Sequence, residues 1–230
     1  MNISESISRI HDEISRACDR AGRSPREVRL MAVSKFHGSG EVLEAINAGL
    51  DLFGENRVQE AVSKFSDPIL ADKDFELHLI GSLQRNKVRQ ILPVVKCIQS
   101  VDRPQLLQEL LAVCEKTKTN IDILFEYHTG EESKAGFQNT DDLFRAIDLL
   151  DESTCVRCAG LMTMAPFVED RSVVRTAFRT LYNTRELCAR KYPNLDFSCL
   201  SMGMSGDFSI AIEEGSTLVR IGTAIFGSRT

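Results

Sequence analysis

Residues 197–222 read FSCLSMGMSGDFSIAIEEGSTLVRIG: a short apolar run, a loop rich in glycine and serine, a brief helical pattern closing on Gly215, and a second apolar run. Two buried-type strands joined by a helix make a crossover unit, and a crossover of this kind is what parallel strands require. The unit recurs toward the N-terminus. Strands are expected near 28–34, 51–55, 76–81, 97–101, 122–127 and 156–162, ahead of those near 197–202 and 218–222. Helical patterns fill the gaps: EVLEAINAG, NRVQEAVSKF, NKVRQILPVV, residues 104–118, TDDLFRAIDLL, residues 173–191 and DFSIAIEEG, with Gly49 and Gly215 placed as helix C-terminal residues. About eight strand–helix alternations predict an α/β protein whose sheet closes into a (β/α)8 barrel, with a doubly wound open sheet as the alternative. An additional helix over about 2–21 precedes the first strand, with Ile3, Ile7, Ile10, Ile14 and Ala17 on one stripe and Gly22 beyond its end. There is no break in composition, linker or repeat, so residues 1–230 are expected to form one domain.

Composition excludes several functions. A net charge of -5, with 33 acidic and 28 basic side chains, disfavours broad binding to nucleic acid or anionic membrane. No run of 18 apolar residues occurs, and the start has no signal-peptide layout. Seven dispersed cysteines, an odd number, suit reduced thiols in the cytoplasm better than a disulfide framework. The CxxC pair Cys155 and Cys158 falls in an apparent strand and reads as packing, and His11, His37, His78 and His128 form no ligand-spaced cluster, so no metal is expected.

Chemistry in such barrels sits on the rim at the strands' carboxyl ends, with phosphate groups commonly held after strands 7 and 8. There the sequence offers LSMGMSGD (200–207) and RIGT (220–223). Glycines let the backbone approach an anion, the hydroxyls of Ser201, Ser205 and Thr223 donate, the helix from about 206 turns its positive end inward, and Arg220 supplies a permanent cation. Each segment alone reads more readily as a turn or a strand end; together, on neighbouring loops, they favour a phosphate site. Lys35 ends the apolar run MAVSK on strand 1, beside strand 8 in a closed barrel. It reads either as a charge pairing an anion or as a nucleophile for an aldehyde. Pyridoxal 5'-phosphate carries both groups on one ring. Asn56 reads as a ligand contact or a helix N-cap, and His78 as a core histidine or as an acid/base or ligand-contacting group. The methionines of LMTMAP (161–166), Met162 among them, pack against the apolar side of the site.

The segments AVSK, FGENRVQE, HLIGSLQRNK, ESKAGF, GLMTM and SMGMSGDFSIAIEEGSTLVRIGTAIFG together resemble the pyridoxal-phosphate homeostasis protein family, also described as alanine-racemase-like N-terminal-domain proteins, from about residue 28 to 227. The resemblance implies a TIM-type barrel like that of alanine racemase, with pyridoxal 5'-phosphate as cofactor held in a covalent aldimine on Lys35. It places Asn56 near that cofactor, gives Ser201, Gly203, Ser205, Gly222 and Thr223 to its phosphate and Arg220 to its ring nitrogen or phosphate, and links Lys134 with a second pyridoxal phosphate interaction; His78, Met162 and Met202 join them as candidate cofactor contacts. The chain departs from the family pattern at Phe36-His37-Gly38, where many members carry a Thr-x-Pro-like segment with another lysine.

A racemase needs a second acid/base group on the far face of the cofactor, which alanine racemase takes from a tyrosine of another domain and subunit. The chain ends soon after the eighth strand, and Tyr127, Tyr182 and Tyr192 are not placed for that role. The expectation is a non-enzymatic cofactor carrier that buffers pyridoxal phosphate and supplies apo-enzymes, as a cytoplasmic monomer. The alternatives are a small amino-acid racemase using Lys35 as one base, and a phosphate-binding barrel in which Lys35 makes no imine.

Overall fold

A computed structural model describes residues 2–130, 135–150 and 155–227. Helix α1 (Ile3–Ala21) starts where the Asn2 side chain accepts from the Ser4 amide at 2.9 Å and stops at Gly22, whose φ of 65° is cheap only for glycine. Its stripe of Ile3, Ile7, Ile10, Ile14 and Ala17 is buried, each isoleucine contributing about 2 kcal/mol relative to exposure.

Strands and helices then alternate as the sequence predicts: β1 (Arg29–Val33), α2 (Ser39–Asn47), β2 (Leu52–Glu55), α3 (Val58–Phe65), β3 (Glu76–Leu79), α4 (Val88–Ile91), β4 (Cys97–Val101), α5 (Pro104–Thr117), β5 (Ile121–Glu126), α6 (Thr140–Ile147), β6 (Val156–Met162), α7 (Arg171–Lys191), β7 (Cys199–Ser201), α8 (Phe208–Glu213), β8 (Leu218–Ile221) and α9 (Thr223–Phe226). All neighbouring strands pair in parallel, and β8 pairs with β1, so the sheet is a closed eight-stranded barrel and the open-sheet alternative falls. Helix α1 packs on α8 and α9, beside the seam where the barrel closes. No described helix is long and apolar enough to cross a membrane.

Two differences from expectation have local causes. The pattern NKVRQILPVV yields only a 3-10 turn (Arg85–Lys87) and the four-residue α4, because Pro93 cannot continue a helix. Helix α9 is unforeseen; its four residues follow Gly222 directly.

Side chains alternate across each strand. One set packs outward against the helices. The inward set fills the lower barrel in two clusters, Met31, Leu52 and Leu218 on one side and Cys97, Leu124 and Met162 on the other, with Cys199 touching both. The interior is therefore a packed floor rather than a pore, and it supports the rim above. At β6 the chain bulges against β5, and Gly160 (φ 148°) lies so close to β7 that a Cβ would stand 1.9 Å from the Cys199 carbonyl oxygen. Cys155 and Cys158 are free thiols on either side of the start of β6, and burial pushes the Cys158 thiol up to about 12.

Candidate functional site

The rim opens into a cavity of about 1100 Å³ at the carboxyl ends of the strands. Lys35 continues the inward register of Met31 and Val33 beyond the end of β1, and it lines this cavity. Asn56 continues Leu52 and Gly54 of β2 in the same way. Of its two readings the N-cap falls, since Arg57 holds that position on α3. Ser205, Gly206, Gly222 and Thr223 line the cavity from the loops after β7 and β8. At six and four residues, α8 and α9 are too short to supply the full helix dipole expected from the sequence. What their first turns bring to the cavity is the hydroxyls of Ser205, just before α8, and Thr223, at the start of α9.

The loop after β7 is shaped by two residues. Gly203, at φ 99°, lies against α8 so closely that a Cβ would meet that of Ala211 at 2.6 Å. Asp207 folds back so that its Oδ1 accepts from the Met204 amide at 2.6 Å; burial raises its carboxyl, against the opposing pull of that bond and of Arg220.

Arg220 is buried beneath the rim and lines the cavity floor. Its Nη1 donates to the carbonyl and the hydroxyl of Ser201, both at 2.7 Å, and its Nη2 donates to the Thr163 carbonyl at 2.8 Å. Burial lowers its guanidinium to about 10, against the attraction of Glu126 and Asp207, which keeps it cationic at neutral pH. The Ser201 hydroxyl donates to Gln99 Oε1 at 2.6 Å, and the Gln99 amide reaches His78 Nδ1 at 2.9 Å. A ladder of buried polar groups thus crosses the barrel from β8 to β3 and fixes Arg220 from below.

The sequence-derived residues consequently separate into two groups. Lys35, Asn56, Met162, Ser205, Arg220, Gly222 and Thr223 line the cavity. Ser201, Met202, Gly203 and His78 do not: Ser201 and His78 belong to the ladder, Met202 to the core, and Gly203 to the loop's packing. His78 is buried and bonded to Gln99 rather than lining the cavity, the position its core-histidine reading describes. Lys134 lies outside the described residues.

Several cavity residues escape the sequence reading, among them Ser82, Asp102, Glu126 and Asp207. A charge ending an apolar run is the signal that singles out Lys35, and the same signal marks Glu126 in DILFEY.

The donor set suits a small ligand with an anionic group and an electrophilic carbon: an amine, two hydroxyls, loop amides and a buried guanidinium. Fold and site together define a barrel of the alanine racemase N-terminal type, and the family model described as alanine racemase, N-terminal domain, matches residues 6–230. Within that class the chain belongs to the pyridoxal phosphate homeostasis protein family. The pyridoxal phosphate homeostasis protein of Aquifex aeolicus is 41% identical over 229 residues, covering 100% of this chain and 99% of that protein. The one from Escherichia coli K12 is 37% identical, covering 99% and 97%. The solved structure of PipY from Synechococcus elongatus PCC7942 with PLP bound superposes with a TM-score of 0.85 at 31% identity, covering 98% of this chain and 100% of that one. Alanine racemase from Clostridium difficile 630, at 14% identity and a TM-score of 0.73, shares the fold over 56% of its length.

Proposed function

We propose that this protein holds pyridoxal 5'-phosphate reversibly through a Schiff base on Lys35 and supplies it to amines and apo-enzymes in the cytoplasm, as a carrier rather than an enzyme. The observation that carries the reading is that Lys35 and the Ser205–Gly206 and Gly222–Thr223 cradle face one cavity. When bound, the group supplies an aldehyde that an unprotonated amine attacks with loss of water, and a phosphate dianion. Ser205, Thr223 and the neighbouring amides take the phosphate, and Arg220 sets a fixed positive charge at the floor. Asn56 and Met162, which line the same cavity, would offer the ring one polar and one apolar neighbour.

Several facts favour carriage. The relatives are named homeostasis proteins. No tyrosine is among the described residues lining the cavity. Among the residues lining the cavity, Phe167 is fully exposed and Phe36 about half exposed, which would leave a bound ligand open to an incoming amine. A compartment that keeps thiols reduced fits the odd, dispersed set of seven cysteines. The second reading, a small racemase, is favoured by the shared fold with alanine racemase.

The test loads the protein with pyridoxal phosphate, removes the free aldehyde with a scavenger, and adds an apo-aminotransferase. The carrier restores aminotransferase activity and shows no turnover in a chirality-resolved amino-acid assay. Sustained racemisation that depends on Lys35 establishes the enzyme instead. A Lys35→Ala protein that binds the cofactor as well as wild type removes the Schiff base from the account.

A further inference from the structure

Lys35 faces the cavity, and its two chain neighbours are gripped from the opposite side of the barrel wall. Ser34 is fully buried; its hydroxyl donates to Glu55 Oε1 at 2.7 Å, and its carbonyl accepts from Lys64 Nζ at 2.6 Å. The Phe36 amide donates to Glu60 Oε1 at 2.5 Å, and Phe36 stands at φ 69°, in the left-handed region that non-glycine residues rarely occupy. Lys64 joins the two sides. Its ammonium has three protons and three acceptors: Ser34 O, Glu55 Oε1 at 2.6 Å and Glu60 Oε1 at 3.0 Å.

The cluster is an unusual use of charge. The Lys64 side chain is 7% exposed and that of Glu55 is wholly buried, with Glu55 Oε2 lacking any hydrogen-bond partner. Replacing a buried ion pair with apolar groups is often neutral or stabilising, so stability does not explain it. What these charges specify is the backbone at 34 and at 36, on both sides of the lysine that the proposed function depends on.

Resting on that reading, we propose that Lys64 is a positioning residue: with Glu55 and Glu60 it holds the Ser34–Lys35–Phe36 turn in the one conformation that presents the Lys35 amine to a bound aldehyde. Lys64 then governs the covalent step and leaves phosphate-directed binding alone.

Two ligands separate these effects: pyridoxal 5'-phosphate, which forms an imine, and pyridoxamine 5'-phosphate, which cannot. In Lys64→Met, imine formation followed by stopped-flow absorbance is expected to slow about tenfold or more, while affinity for pyridoxamine 5'-phosphate stays within about twofold of wild type. Adding Phe36→Gly is expected to restore most of the rate, because glycine takes the left-handed conformation without being held there. Should Lys64→Met not fold, Glu60→Ala removes only the acceptor of Phe36 and Lys64 at a partly exposed site, and the same divergence is expected on a smaller scale. Equal losses for the two ligands, or no loss for either, overturn the inference while leaving the carrier reading intact. A wild-type protein that forms no imine on Lys35 overturns both.

Discussion

Gly81→Ala tests how tightly the rim is built. Gly81 follows β3 with its backbone pressed on that of Asn56: a Cβ there would lie 2.2 Å from the Asn56 carbonyl oxygen and 2.8 Å from its Cα. Real Cβ contacts do not fall below 3.0 Å, so Asn56 and residue 81 must separate by about 0.8 Å. Gly81 cannot simply retreat, because its carbonyl accepts from the Ser100 hydroxyl at 2.7 Å. Overpacking against main chain rather than a yielding side chain belongs in the upper part of the usual range, about 2–3 kcal/mol. For a chain of this size that lowers Tm by about 4–12 °C. The same displacement moves Asn56 at the cavity wall, and pyridoxal phosphate affinity is expected to fall about tenfold or more. Thermal denaturation followed by circular dichroism and an absorbance titration with the cofactor measure the two effects. Gly40→Ala, in α2 with nothing within 4 Å, is the control and is expected to stabilise by about 0.5–1 kcal/mol. A Gly81→Ala protein with unchanged Tm and unchanged affinity would refute the reasoning.

The remaining predictions concern the groups around this rim. Ser201→Ala leaves Gln99 Oε1 buried without its donor and takes one anchor from Arg220, so it is expected to cost about 1–3 kcal/mol in denaturant unfolding. Cofactor affinity should fall less than about tenfold if Ser201 acts through Arg220; a loss near a hundredfold would mean that Ser201 touches the ligand itself. Glu214, buried at the end of α8, accepts from Arg175 and Arg179 of α7; burial opposes its ionisation, but these arginines outweigh it and hold the carboxyl below its ordinary 4.5. A depressed folded-state value means stability present above the unfolded value and lost as pH falls. Glu214→Gln should therefore be less stable than wild type by about 1–2 kcal/mol at pH 7, discounted because both arginines are substantially exposed, and the gap should close as pH drops below about 4.5. A gap constant from pH 7 to pH 3 would show that packing, not charge, links α7 to α8.

The barrel was readable because burial on both faces makes each parallel strand a near-continuous apolar run, as in DILFEY and VRCAGLM, and glycine or proline punctuates the helices between them. That Lys35 and the loops after β7 and β8 share one rim was readable for the opposite reason: a charge, and glycines beside a serine or a threonine, interrupt those runs where strands end. The polar ladder was not. Arg220 and Ser201 lie on neighbouring strands, as do Gln99 and His78, but the Ser201–Gln99 bond that joins the two pairs links residues far apart in sequence and forms only across the closed barrel. Lys64 was hidden for a related reason. In NRVQEAVSKF it has the spacing of an ordinary helix-surface lysine, and its burial follows from the carboxylate of Glu55 on the outer side of β2 and the carbonyl of Ser34. His78, Ser201 and Gly203 carry the family motifs, yet none of them is among the residues lining the cavity.

The central claim is that Lys35 holds an aldehyde. The measurement that tests it most directly is reduction of the protein with borohydride in the presence of pyridoxal 5'-phosphate, followed by peptide mass mapping of wild type and Lys35→Ala. The account predicts a visible imine band that borohydride removes, with the reduced pyridoxyl adduct on Lys35 and neither band nor adduct in the variant. An adduct confined to other lysines, or bound cofactor with no adduct at Lys35, would contradict it.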